Sequence, residues 1–308
     1  MLSWRYGEMN ESLTIKDLIA ISRGPYLALI PAVFFPAMVL SYKLTGQLAV
    51  DLLILIFIAA MAAHIAVNAL NEYQDFNSGL DETTNRTPFS GGSGTLPAKP
   101  WLASSAKGLF LISFLVMVVV GGYLSWRVGR QILPLGILGG LIILIYTKWI
   151  NRIPLLCLIA PGAGFGLLMV NGMVFLMTGS FPAAAQYLGW VVFFLCNGLL
   201  LLNQIPDVEA DRAAGRRHLP IVLGVRSSIG VYSLLLVGAY GSLLTGWWFG
   251  SLPATTLVAL ATAPLGVLTV RALLCSMDSP EALVPALGKN VLLVLATPVL
   301  MGVGILLS

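Results

Sequence analysis

The sequence predicts an all-α, polytopic membrane protein of nine transmembrane helices, and three observations lead there. Of its 308 residues, 58% are hydrophobic and only 10% are charged, and the mean hydropathy is +0.91. A soluble globular chain carries roughly 25% charged residues. The apolar residues also fall into runs of about 20, the length that crosses a bilayer as a helix. Finally, the charges gather in the connections between these runs and are unevenly shared between the two membrane sides.

Nine runs qualify, at about 18–42, 48–74, 105–126, 131–150, 155–177, 184–206, 228–249, 254–275 and 287–307. The first contains Pro25, Pro31 and Pro36 and is expected to be kinked or broken, because proline removes a backbone donor and clashes with the preceding turn. Three connections are long or polar: Asp75 to Pro100, Asp207 to Arg226, and Ser276 to Gly288. The start of the chain, Met1 to Lys16, is polar and mixed in charge and does not read as a cleavable signal. Trp4 and Tyr6 read there either as an interfacial segment or as part of a disordered tail. Cys157, Cys196 and Cys275 lie in or beside apolar runs without metal-type spacing and read as buried free thiols.

With nine spans, the N-terminus and the loops after the second, fourth, sixth and eighth share one side. Fourteen Lys and Arg residues lie there, against Lys43, Arg127 and Arg130 on the other. The positive-inside rule makes the richer side cytoplasmic, and the chain is expected in the cell's inner membrane. Two acidic clusters fall on that same side. The first runs Asn68, Asn71, Glu72, Asp75, Asp81 and Glu82; the second runs Asn203, Asp207, Glu209 and Asp211. Carboxylates at the end of a membrane helix are costly to desolvate and mark function.

At about 100° per residue, His64, Asn68, Asn71 and Asp75 fall within roughly a 60° stripe, with Glu72 at its edge. Asn203, Asp207 and Asp211, spaced i, i+4, i+8, read as a second stripe. The two clusters also echo each other as N-x-x-x-D followed by a loop with Arg. Asp and Asn oxygens suit Mg²⁺, which keeps several waters and binds through one or two carboxylates plus substrate phosphates. Arg86 follows the first cluster; Arg212, Arg216 and Arg217 follow the second. Arginine forks match pyrophosphate oxygens, although the positive-inside bias equally accounts for Arg216 and Arg217. Arg23, at the start of the first run, is a further candidate for the phosphate pocket.

These motifs resemble those of the UbiA superfamily of intramembrane prenyltransferases. The second is the stronger match: Asn203, Asp207 and Asp211, then Arg212, Gly215, Arg216 and Arg217, then Leu219-Pro220 and Leu223-Gly224. The first, Asn71-Glu72-x-x-Asp75 with Gly79 and Asp81, then Arg86-x-Pro88 and Gly91-Gly92, is similar to the 1,4-dihydroxy-2-naphthoate prenyltransferases of menaquinone synthesis. The resemblance implies one prenyltransferase domain over 1–308, its helices around a central cavity capped by cytoplasmic loops. It implies Mg²⁺-dependent transfer of a polyprenyl group from its pyrophosphate to an aromatic acceptor, here 1,4-dihydroxy-2-naphthoate. Other acceptors, such as 4-hydroxybenzoate or a lipid alcohol, stay open. A transporter is the alternative of a different class, but it would place its acids nearer the bilayer midplane. The expected partners are the prenyl pyrophosphate, the acceptor and the bilayer, with no nucleic acid.

In this reading Asp75, Asp207 and Asp211 are catalytic, and with Asp81 and Glu72 they hold the metal directly or through water. Asn71 and Asn203 share that shell. Arg86, Arg212 and Lys148 neutralise the leaving pyrophosphate, with Arg23 and Tyr146 nearby. Glu72 stands where the family usually has Asp and reads either as a ligand or as the partner of a neighbouring base. Pro206 stands where a polar or basic residue is common, so the helix there ends or bends. His64 reads as an acceptor contact, a base or a structural histidine. Asn171 reads as an acceptor contact or an interhelical bond. Phe165, Met169, Phe193 and Phe194 read as the lining of a prenyl tunnel or as packing.

Overall fold

A computed structural model describes residues 12–84, 86–276 and 280–308. Trp4, Tyr6 and Arg5 lie outside the described residues, as does the side chain of Glu82. Helix α1 (Ile15–Ile21) begins with a capping box in which the Thr14 hydroxyl and Asp17 carboxylate satisfy each other's backbone N–H groups. Lys99 then pairs with Asp17 at 3.0 Å and ties this short helix to the loop before α4.

The long helices follow in chain order: α2 (Leu29–Thr45), α3 (Val50–Asn77), α4 (Ala103–Val128), α5 (Leu133–Ile145), α6 (Pro154–Thr178) and α7 (Ala183–Asn203). Two short helices, α8 (Val208–Ala213) and α9 (Leu219–Leu223), precede α10 (Val225–Trp248), α11 (Ala254–Cys275) and α12 (Pro280–Leu306). Among the described residues, eight of the nine expected spans are long and apolar enough to cross a membrane; the fourth, Arg130–Ile145, is shorter.

Each departure from the expected boundaries has a local cause. The first run is broken rather than merely kinked: Arg23 adopts a left-handed conformation (φ 52°), and Gly24 and Pro25 open a 3₁₀ turn before α2. The fourth run stops at Ile145, so Tyr146 and Lys148 lie in a turn beyond the helix. The sixth stops at Asn203, where Pro206 cannot continue the backbone ladder. The ninth starts earlier than expected, at Pro280, because proline is well placed in a first turn. The polar connection read as Ser276 to Gly288 is therefore mostly helix.

Helix α7 is the central rod, with Leu188, Val191, Val192, Leu195, Leu201 and Leu202 all buried. It packs along α10 and α6, while α3 pairs with α4, and α12 lies between α2 and α11. Helices α6 and α7 meet through glycines, since a methyl group on Gly162 or Gly166 would collide with the α7 backbone. The Gly162 N–H donates to Asn197 Oδ1 (2.6 Å), where α6 passes into a π-helical segment, Ala163–Val170. Leu111, Ile112, Leu115 and Val119 of α4, and Leu234, Val237 and Trp248 of α10, stay exposed on the outside, as expected of surfaces that face lipid. Cys157 and Cys196 are buried, but Cys275 is exposed, a correction to its reading as a buried thiol.

Candidate active site

The broken first span, the end of α3, the loop 86–95 and the segment after α7 converge on one end of a cavity of about 730 Å³. Helix α3 runs unbroken for 28 residues, so the 3.6-residue period holds, and His64, Asn68, Asn71 and Asp75 all line this cavity. Asn68 Nδ2 donates to the Ser22 carbonyl (2.8 Å) and Asn71 Nδ2 to Thr147 Oγ1 (3.1 Å). Gly79, in the left-handed region at φ 78°, follows α3 and turns the chain so that Asp81 also reaches the cavity.

The second cluster is not one helical stripe, which corrects the i, i+4, i+8 reading. Asn203 is the last residue of α7, Asp207 sits at the start of α8, and Asp211 lies within it. All three still line the cavity. Asn203 Nδ2 donates to the Tyr26 hydroxyl (3.2 Å), which itself donates to the Phe89 carbonyl (2.6 Å). Asp207 Oδ2 accepts from the Gly91 N–H (3.0 Å). The two clusters thus face each other, with the loop 86–93 laid between them.

The cations fall differently from the sequence reading. Arg216 bridges the clusters, donating to Asp75 and, at 2.8 Å, to Asp211 Oδ1. His218 Nε2 holds the other Asp211 oxygen at 2.8 Å. Arg212, expected at the pyrophosphate, is instead exposed and paired with Glu209 on its own helical turn. Lys148 is exposed and does not line the cavity; Tyr146 does. Arg86 is exposed, and its guanidinium donates to the Asp81 carbonyl (2.7 Å), bracing the loop from outside the cavity. Arg23 lines the cavity and pairs with Glu72 at 2.8 Å.

Glu72 is fully buried. It accepts from Arg23 and from the Ser93 N–H (2.9 Å) and hydroxyl (2.6 Å). Its oxygens are committed to the loop and the broken first span. Sequence reasoning missed Tyr26, Ser93, Thr147 and His218. Polar groups inside the first apolar run, beside Pro25, were the available signal for Tyr26; the other three lie in turns without periodicity. Of the proposed tunnel residues, Phe165 and Met169 line the cavity, whereas Phe193 and Phe194 pack with Trp190. Asn171 is buried beside α7, its Nδ2 donating to the Leu167 carbonyl.

Among the described residues that line the cavity, three buried acceptor oxygens have no hydrogen-bond partner: Asp81 Oδ2, Asp207 Oδ1 and Asn203 Oδ1. Burial, with Glu72 and Asp75 close by, pushes the Asp81 carboxyl up to about 7. Burial and Asp211 push Asp207 up to about 6, against the Gly91 hydrogen bond. Unpartnered oxygens, two on carboxyls whose ionised form is costly and one on an amide, fit a hydrated divalent cation. Among the described residues there is no preassembled group of three or more His, Cys, Asp or Glu.

The profile of the UbiA prenyltransferase family matches residues 28–285. The chain belongs to the UbiA prenyltransferase family. Family membership makes it a prenyl-transferring membrane enzyme and sets aside the transporter. It is similar to the 1,4-dihydroxy-2-naphthoate octaprenyltransferase of Bacillus subtilis (strain 168), 25% identical over 227 residues, covering 70% of each chain. It is also similar to the 2-carboxy-1,4-naphthoquinone phytyltransferase of Synechocystis sp., 26% identical over 252 residues, covering 78% of this chain and 77% of that one. Among solved structures it shares its fold with a UbiA homolog from Aeropyrum pernix K1 (TM-score 0.71, 18% identity, 96% of this chain and 99% of that one). A UbiA homolog from Archaeoglobus fulgidus bound to DMAPP and Mg²⁺ is similar as well (TM-score 0.67, 11% identity, 94% and 99%).

Proposed function

We propose that this UbiA-family enzyme moves a polyprenyl group from its pyrophosphate to 1,4-dihydroxy-2-naphthoate, with Mg²⁺, at the cytoplasmic face of the inner membrane. One observation carries the reading: two acidic clusters, with unpartnered buried oxygens, face each other at the polar end of an otherwise apolar cavity. The naphthoate and naphthoquinone relatives favour a bicyclic acceptor, and the family match spans residues 28–285.

Asp81 and Asp207, with Asn203, would hold the metal, Asp75 and Asp211 completing the shell once Arg216 releases them. When bound, Mg²⁺ supplies positive charge that makes the pyrophosphate a better leaving group. The chain's own residues do the rest. Arg23 and Arg216 lie where they can fork onto phosphate oxygens. The loop 86–93 lies over the polar end of the cavity and limits water. The apolar walls, Phe165 and Met169 among them, shield the allylic carbon as its C–O bond breaks and an electron-rich ring carbon bonds to it. The ring then regains aromaticity as the carboxylate on that carbon leaves as CO₂, its electron pair returning to the ring.

The test incubates purified protein with a prenyl pyrophosphate, Mg²⁺ and a panel of aromatic acids, identifying products by mass. A prenylated naphthalene product is expected, lost in Asp207→Asn and Asp211→Asn variants that still insert. Unchanged pyrophosphate release in both variants refutes the metal role; a prenylated benzoate as sole product refutes the acceptor.

A further inference from the structure

The membrane half of the cavity contains a polar group that its surroundings do not satisfy. His64 lies on α3, is 6% exposed and lines the cavity. It makes no hydrogen bond among the described residues, and its Nδ1 is buried without a partner. Its ring packs edge-on against Phe165, centroids 4.9 Å apart and planes at 75°, which fixes the imidazole plane. Its neighbours on the same stripe differ: Asn68 and Asn71 are both bonded, to Ser22 and Thr147. His218, the other histidine, also has an unpartnered buried Nδ1, but its Nε2 is held by Asp211, whereas neither His64 nitrogen has a partner among the described residues. A histidine kept for structure would bond a nearby carbonyl or side chain. Leaving a buried nitrogen unpaired instead costs its desolvation with no bond in return.

The depth of His64 suggests its ligand. It lies seven residues before Asn71 and eleven before Asp75, which is about 10 Å and about 16 Å further along the helix axis, away from the acidic clusters. A nucleophile approaches an allylic carbon from the side opposite its leaving group. With the pyrophosphate at the acidic end, the acceptor ring therefore sits on the membrane side of the reacting carbon. The ring substituent remote from that carbon then points further in, toward α3 at His64.

Resting on the reading above, we infer that His64 recognises the aromatic acceptor through a hydrogen bond to the ring hydroxyl remote from the reacting carbon. An imidazole offers one donor and one acceptor in its neutral form, so it can pair with a hydroxyl, while Phe165 keeps it from turning away. A site built around such a bond rejects an analogue that lacks the hydroxyl, because the nitrogen is again left unpaired. His64 is thereby a specificity-determining residue, separate from the pyrophosphate machinery.

The experiment compares 1,4-dihydroxy-2-naphthoate with 1-hydroxy-2-naphthoate, which lacks the remote hydroxyl. Binding to the full-length protein is read by naphthoate fluorescence without Mg²⁺, and KM is measured for each substrate. Wild type is expected to prefer the dihydroxy compound about tenfold or more. His64→Leu should remove that preference by weakening the dihydroxy compound alone, leaving the KM for prenyl pyrophosphate and the Mg²⁺ dependence unchanged. His64→Gln, which retains a donor and an acceptor, should recover part of it. Equal binding of the two compounds by wild type overturns the inference, even if His64→Leu does not fold. A preference that persists in His64→Leu overturns it too. Failure of the proposed function has a different signature: wild type that releases no pyrophosphate from any prenyl donor, whatever acceptor is present.

Discussion

Replacing Glu72 with Gln separates a residue that holds the metal from one that holds the protein around it. Its carboxylate accepts three hydrogen bonds, from Arg23 Nε (2.8 Å), the Ser93 N–H (2.9 Å) and the Ser93 hydroxyl (2.6 Å). Hydrogen bonds to a charged group are worth about 1.5–3 kcal/mol each. An amide keeps one oxygen, which can still serve Ser93, but it loses the charge that balances Arg23. Breaking a buried ion pair costs about 3–5 kcal/mol. The Arg23 side chain is 28% exposed and can turn partly to water, so about 2–4 kcal/mol is the working figure.

That loss falls on the tie between the first span, α3 and the loop 86–95. In detergent, the thermal midpoint of Glu72→Gln should drop on the order of 5 °C. The KM for prenyl pyrophosphate should rise about tenfold as Arg23 and the loop loosen, equivalent to about 1.4 kcal/mol. The Mg²⁺ concentration for half-maximal rate should move less than about twofold, because the carboxylate's oxygens are already committed. Glu72→Asp, which keeps the charge, should fall between. A Glu72→Gln protein with unchanged melting and unchanged prenyl pyrophosphate KM, but a several-fold higher Mg²⁺ requirement, would refute this reasoning and make Glu72 a ligand.

Three further outcomes are expected. In the metal-free protein the Asp81 and Asp207 carboxyls sit near 7 and 6, above their unfolded value of about 3.9. The folded state therefore binds extra protons, and its stability without metal should fall as pH rises from about 4 toward 7. Mg²⁺ competes with those protons, so its apparent affinity should rise with pH up to about 7 and then level; a titration at fixed ionic strength checks both, and pH-independent Mg²⁺ affinity between 5 and 7 would count against metal at these oxygens. On topology, in a cysteine-free background, a cysteine at Ala214 should label only from the cytoplasm and one at Ser251 only from outside. Labelling of both from one side would contradict the membrane arrangement.

What the sequence could and could not show follows from how far each residue's position depends on its neighbours in the chain. The stripe from His64 to Asp75 was readable because α3 is one uninterrupted helix, so angular position follows from spacing alone. The second cluster had the same spacing, but Pro206 ends the helix between Asn203 and Asp207. Its residues meet at the cavity through a turn, not through a common face. The nine apolar runs were readable from length and hydropathy. Their ends were not, because Ile145 and Pro280 mark boundaries set by packing and first-turn preferences as much as by polarity.

The cations show the limit most clearly. Arg212, Arg216 and Arg217 are nearly adjacent, and all three satisfy the positive-inside rule. Gly215, at φ 78°, turns the chain back after α8, and the Arg216 N–H donates to the Asp211 carbonyl (2.9 Å). That reversal directs the Arg216 guanidinium between Asp75 and Asp211 and leaves Arg212 on the solvated side of α8. Two buried carboxylates brought together from different helices repel each other, so a cation must lie between them for the clusters to face. That cation is Arg216. The acidic pattern thus announces that positive charge is needed at this place. Only the turn at Gly215 decides which arginine supplies it.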